Sequence, residues 1–163
     1  MNVNIALLTV TDTRTFENDK SGAILVKKIE ESKHTLIDRK ICKDNKEDII
    51  KILKDWTNQK NIDVIITTGG TGLTGRDITP EAIEEIADEH IPGFGEVFRT
   101  ISLKTVGTSA IQSRACAVLS NGKHIFALPG SSGGGTDAWD GILKYQLDSN
   151  NRSEEHTSEL QSH

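Results

Sequence analysis

Residues 62–82 read Ile62-Asp-Val-Ile-Ile-Thr-Thr-Gly-Gly-Thr-Gly-Leu-Thr-Gly-Arg-Asp-Ile-Thr-Pro-Glu-Ala82. The apolar run Ile62, Val64, Ile65 and Ile66 predicts a buried strand over Ile62–Thr67. It leads straight into glycines, then a lone acid, Asp77, then a helix start marked by Thr79 with Pro80 at the first helical position. Glycines allow a positive φ and let backbone N–H groups approach an anion closely. An aspartate beside such a turn adds an oxygen ligand for Mg²⁺, which phosphate chemistry commonly needs. Strand, glycine turn, acid and helix in this order predict a phosphate-handling site.

Working outward, the same alternation fills the chain. Asn4–Val10 reads as a strand, and Gly22, Leu25, Val26 and Ile29 repeat at helical spacing within Lys20–Ser32. Leu36–Cys42 is a second strand, its polar interruptions placing it near a sheet edge. Ile49, Ile52, Leu53 and Trp56 mark another amphipathic helix before the strand at Ile62. Pro80 opens a helix running to about Glu89, and Pro92, Gly93 and Gly95 break the chain. Helical stretches are predicted at Glu96–Leu103 and Ser109–Leu119. His124–Leu128 is the last clear strand, and Pro129-Gly130 with a glycine-rich turn leads to a final helix near Thr136–Leu147. The expectation is an α/β domain with a mainly parallel sheet and helices on both faces. Ligands of such sheets sit at the carboxyl ends of the strands, where both glycine-rich turns fall.

Bulk properties narrow the classes. A chain of 163 residues is expected to form one domain. With 35% hydrophobic and 4% aromatic residues, its core must rest on Ile, Leu and Val. A net charge of −5 without a basic stripe argues against a nucleic-acid partner. With no apolar run long enough to span a bilayer and no leader-like start, the expectation is a soluble, cytoplasmic protein without membrane attachment. Cys42 and Cys116 stand alone and are expected as reduced thiols. The domain is expected to cover residues 1–151. The stretch from Arg152 to His163 resembles the in-frame translation of a sequencing-adapter oligonucleotide and is expected to be foreign to the natural gene.

Each turn carries a competing structural reading. Gly70-Thr-Gly-Leu-Thr-Gly75 formally matches the dinucleotide fingerprint, but the helix starts late and the acids 20 residues on fall inside a helix, so an NAD site is rejected. Gly130-Ser-Ser-Gly-Gly-Gly-Thr136 has the outline of a P-loop without its lysine. It is either a flexible connection or a second wall for a ligand phosphate. Asp44 and Glu47 have capping-box spacing, and Asp77 could close an Asx-turn. Yet both acids follow strands that could be neighbours, and two carboxylates beside a phosphate call for a divalent cation between them. Ser109 and Ser113 fall at i, i+4 and could face a ligand or solvent. Arg14, Arg76, Lys104 and Arg114 could neutralise phosphate or, as is commoner, carry surface charge, and Thr11, Asp12 and Thr13 point at the same rim.

The string from Thr68 to Ala82, with Pro92-Gly-Phe-Gly-Glu-Val-Phe-Arg99, resembles the MogA/MoaB family of molybdenum cofactor biosynthesis. Thr108-Ser-Ala-Ile-Gln-Ser-Arg114, Ala127-Leu-Pro-Gly-Ser131, Leu8-Thr-Val10 and Trp139 continue the resemblance, which covers about residues 3–151 and is nearer the MoaB branch. It implies a three-layer α/β/α fold and the binding of molybdopterin. Active members adenylylate the terminal phosphate of this pterin with Mg-ATP. The resemblance places the two functional, metal-binding aspartates on Asp44 and Asp77. The family's Gly-Gly-Thr-Gly loop falls on Gly69, Gly70, Thr71 and Gly72, and Ser109, Ser113, Pro129, Gly130 and Ser131 complete the expected phosphate- and substrate-binding set. It also implies a homo-oligomer, trimer or hexamer, and contacts with other proteins of the pathway. The alternative is a non-catalytic molybdopterin-binding or carrier protein. Lys43-Asp44 stands where many adenylylating members carry Pro-Asp, and the adapter-like tail replaces their C-terminal segment.

Overall fold

A computed structural model describes residues 2–148; the polar tail expected after residue 151 lies outside them. The elements are β1 (Asn4–Val10), α1 (Lys20–Glu31), β2 (Thr35–Cys42), α2 (Lys46–Thr57), β3 (Val64–Thr68), α3 (Thr79–Ile86), β4 (Glu89–His90), α4 (Pro92–Val106), β5 (Cys116–Ser120), β6 (Lys123–Leu128) and α5 (Ser132–Ala138). A 3₁₀ turn, Gly107–Gln112, follows α4, and a π-helical turn, Trp139–Leu143, continues α5.

The sheet has the order β2-β1-β3-β6-β5-β4. Its first four strands are mutually parallel, whereas β5 and β4 are antiparallel to their neighbours. Successive side chains leave opposite faces of each strand, which gives the chain two cores. Ile5, Leu7, Val64, Ile66, Phe126 and Leu128 pack with Leu25, Ile29, Phe94, Phe98 and Trp139. Ala6, Leu8, Ile65, Ile125 and Ala127 pack with Ile49, Leu53, Trp56, Ala82 and Ile83. Helices α1, α4 and α5 therefore cover one face, and α2 and α3 the other. This is the three-layer α/β/α arrangement expected.

Several local expectations are corrected. The helix predicted over Ser109–Leu119 does not form; the chain makes the short 3₁₀ turn and then β5. Asn121-Gly122, both at positive φ, join β5 to β6 as a two-residue hairpin. Such a turn matches the twist of two antiparallel strands and fixes this segment as a strand. Pro92 opens α4 rather than breaking the chain, consistent with its place at the start of a helix. Helix α3 stops at Ile86 because Ala87 turns extended, and Glu89-His90 add a short edge strand. The last helix begins earlier than predicted, at Ser132, where Ser131 Oγ caps the Gly134 N–H at 3.0 Å. Finally, β2 and β3 are not neighbours, since β1 lies between them.

Candidate functional site

The parallel strands β2, β1, β3 and β6 all deliver their carboxyl ends to one rim. β1 connects to β2 on one side and pairs with β3 on the other, so the crevice opens where the order reverses. A cleft of about 390 Å³ lies there, between Thr9–Thr11, Thr13, Arg14, Asp44, Thr68, Gly69, Gly70, Asp77, Gly130 and Ser131.

The first glycine turn is built tightly. Gly69 has φ +106°, and a Cβ there would overlap the carbonyl oxygen of Val10, so only glycine fits. Its N–H donates to Leu128 O at 3.0 Å. Thr68 Oγ1 donates to Pro129 O at 2.8 Å, tying the first turn to the second. Thr79 does not cap α3; its buried hydroxyl donates to Gly69 O at 2.9 Å and holds the turn from below.

Asp44 is free of the capping role that its spacing with Glu47 allowed. Asn45 is the N-cap of α2 and accepts from the Asp48 N–H at 3.1 Å, leaving the Asp44 side chain for the cleft. The Asp44 N–H donates to Asp12 Oδ1 at 3.1 Å. Arg76, in the loop before Asp77, pairs with the other oxygen of Asp12. Asp12 thus joins the three loops that follow β1, β2 and β3. The Arg76 hydrogen bond and then the Asp44 N–H hold the Asp12 carboxyl below the usual carboxylate range. Burial, followed by the carboxylates of Asp12 and Asp77, pushes Asp44 up.

Asp77 closes no turn toward Thr79. Its Oδ2 accepts from Thr74 N at 3.0 Å and Thr74 Oγ1 at 2.6 Å, so it bonds backward into its own loop. Among the described residues Oδ1 takes no hydrogen bond. Asp77 also borders a second cleft of about 440 Å³ between Lys46, Leu73, Ile78 and Arg114.

The second glycine turn supplies Gly130 and Ser131. Ser21 Oγ donates to Gly130 O at 2.6 Å, and Arg14 reaches the same carbonyl at 3.4 Å. Arg14 also lies 3.8 Å from Asp19, whose side chain is fully buried and accepts from Thr9 Oγ1 at 2.6 Å.

The structure therefore brings Asp44, Asp77, Gly69, Gly70, Gly130 and Ser131 to one cleft. Thr71, Gly72 and Pro129 adjoin these residues in the chain but do not line the cleft. Ser109 and Ser113 do not reach it. No helix aligns them, Ser109 is exposed on the 3₁₀ turn, and Ser113 Oγ accepts from the Ala115 N–H at 3.3 Å. Of the cations left open by the sequence, Arg14 lines the cleft, Arg76 is paired to Asp12, and Arg114 faces backbone carbonyls. The bridge through Asp12 was foreshadowed only by its place at the end of β1.

Among the described residues no group of three or more His, Cys, Asp or Glu side chains forms a metal site. Two carboxylates with hydroxyl and carbonyl oxygens are nevertheless a hard, all-oxygen donor set, as Mg²⁺ shared with phosphates prefers. The like-charge pressure on Asp44 is what a cation in the cleft would relieve. No helix among the described residues is long and apolar enough to cross a membrane.

Fold and rim together define a doubly wound α/β domain with a glycine-lined cleft at its topological switch point. Residues 6–149 match the family described as a probable molybdopterin binding domain, and the chain belongs to that family. It is 42% identical over 148 residues to molybdenum cofactor biosynthesis protein B of Escherichia coli K12, covering 91% of this chain and 87% of that protein. A crystal structure of molybdenum cofactor biosynthesis protein B superposes with a TM-score of 0.87 at 38% identity, over 93% of both chains. The tungsten cofactor synthesizing protein MoaB from Pyrococcus furiosus superposes with a TM-score of 0.81 at 31% identity, over 93% of this chain and 96% of that one.

Proposed function

We propose that this protein acts in molybdenum cofactor biosynthesis by binding molybdopterin and adenylylating its terminal phosphate with Mg-ATP. One oxygen of the pterin phosphate attacks the α-phosphorus of ATP. The bond from that phosphorus to the β-phosphate oxygen breaks, and pyrophosphate leaves with the electron pair. The observation that carries this reading is the position of Asp77, shared by two clefts and accompanied by Asp44 in the glycine-lined one. A reaction joining two phosphate-bearing substrates needs two such compartments meeting at one charged point.

The residues divide the work without a nucleophile–base pair, since both reactants bring their own oxygen and phosphorus. The backbone N–H of Gly70, with Ser131 and Arg14, holds and orients phosphate oxygens; the Gly69 N–H is already given to Leu128 O. Asp44 and Asp77 would hold Mg²⁺, which when bound neutralises charge gathering on the phosphates. Trimeric or hexameric assembly, and contact with other proteins of the same pathway, form part of this proposal.

The test is incubation of the purified protein with molybdopterin and Mg-ATP, following pyrophosphate and the adenylylated pterin. Equal amounts of both products are expected. Pterin binding without nucleotide binding or pyrophosphate would instead assign a carrier.

A further inference from the structure

The geometry points to Arg114 as a positioning residue that straps the loop 72–77 and thereby aims the Asp77 carboxylate; the inference rests on the role of Asp77 proposed above. The guanidinium does not meet the phosphate cleft's glycine turns from the front. Nε donates to Gly72 O at 2.7 Å and Nη2 donates to Asp77 O at 2.7 Å, so one planar group bridges the two ends of the loop. Nη1 pairs with Glu81 in the first turn of α3, and the backbone N–H of residue 114 donates to Thr71 O at 2.8 Å. Three carbonyls of the glycine loop therefore accept from a single residue in the segment before β5.

Inside that buckle the loop is closed by Asp77 itself. Its N–H donates to Thr74 O at 3.0 Å while Oδ2 accepts from the Thr74 N–H at 3.0 Å and its hydroxyl at 2.6 Å. Leu73, Thr74, Gly75 and Arg76 are all exposed, and packing contributes little to holding them. Hydrogen bonds must fix this loop; from outside it come the strap, at its two ends, and the pairing of Arg76 with Asp12.

The strap is anchored in turn. Arg99 on α4 donates from Nη1 to Ser113 O at 3.1 Å and Ala115 O at 3.0 Å, gripping the chain on both sides of Arg114. Gly95, one turn earlier, makes room: a Cβ there would come within 2.8 Å of Ala115 O. The Gly95…Arg99 spacing, Ser113-Arg114 and the glycine loop are thus consecutive links of one mechanical path. The guanidinium fork fixes both donors in one plane and so sets the placement of Gly72 O relative to Asp77 O, a constraint that an ammonium on a flexible stem does not impose.

Arg114→Lys tests this, with Arg99→Lys as the second variant should the first fold poorly. Amide hydrogen exchange is read at Thr74, whose N–H reports the bond to Asp77 Oδ2, with β1 amides as reference. Exchange at Thr74 is expected to accelerate about tenfold or more in Arg114→Lys, and less in Arg99→Lys, with β1 unchanged. In the adenylylation assay kcat is expected to fall about 10- to 100-fold while KM for molybdopterin changes little. Unaltered Thr74 exchange in both variants would overturn the strap. Faster exchange with a wild-type kcat would overturn its positioning role. A wild-type protein without turnover would reject the adenylylation reading, while the exchange measurement would still decide the strap.

Discussion

Asp12 receives the backbone N–H of Asp44 at 3.1 Å and so ties the loop after β2 to the loop after β1. Through Arg76 the same carboxylate reaches the loop that carries Asp77. Two acids brought from strands separated by β1 are therefore held in register by a third acid. Asp12 spends its own charge on the guanidinium, while Asp44 and Asp77 keep theirs for the cleft.

Asp77→Asn tests the central claim. The amide keeps the volume and one acceptor oxygen but loses the charge. Adenylylation is expected to fall by about 100-fold or more, with pterin affinity nearly unchanged. Product formation and pterin titration on the same preparation check it; turnover equal to wild type would remove Asp77 from the mechanism.

Arg14 is the cation that lines the glycine-rich cleft, held by Ser21, Gly130 O and the buried Asp19. A charge-assisted hydrogen bond to phosphate contributes about 1.5–3 kcal/mol, so Arg14→Gln should weaken binding about tenfold or more. Calorimetric titration with pyrophosphate, wild type against variant, measures it. Equal affinities would show that the anion is held by the backbone turns alone.

What the sequence disclosed and what it hid follow one physical division. Val64–Ile66 and the glycines after them are dictated by local chemistry, a fully buried strand and a turn with positive φ, and local patterns report both. Asp44 and Asp77 were legible because each follows the end of a strand. The strand β5 was hidden because Cys116 and Ala117 are small, and the preceding serines extended an apparent helical spacing; the Asn121-Gly122 turn was the overlooked signal. From sequence, Arg114 is one of four cations open between phosphate contact and ordinary surface charge. Its actual partners are carbonyls 37 and 42 residues away, and main-chain acceptors leave no residue-type pattern.

Gly69→Ala probes the turn itself. The residue would be forced to φ +106° with its Cβ against the Val10 carbonyl. Strain of this kind, added to overlap with backbone that cannot move aside, should cost about 3 kcal/mol or more. Urea unfolding monitored by circular dichroism checks the value, and a midpoint equal to wild type would contradict the packing described.

The two thiols should be silent in the folded protein. Burial pushes Cys42 up to about 12 and Cys116 up to about 11, and the thiolate is the reactive form. At pH 8 both should resist iodoacetamide and react at ordinary rates only after unfolding. Mass spectrometry of native and urea-treated samples would show this directly.

His124 gives the fold a dependence on acid. Burial holds its imidazole below the ordinary histidine value of 6.5, and the ring stacks on Phe126 at 5.9 Å. Above that value neither the folded nor the unfolded chain binds the proton, and His124 adds no pH dependence. As the pH falls through 6.5 the unfolded chain takes up a proton that the folded one resists, so stability drops until the lower folded value is passed. His124→Gln should therefore lose part of the decline in melting temperature between about pH 7 and pH 5 that the wild type shows. Parallel thermal melts across that range measure the difference, and identical slopes in the two proteins would place the acid sensitivity elsewhere.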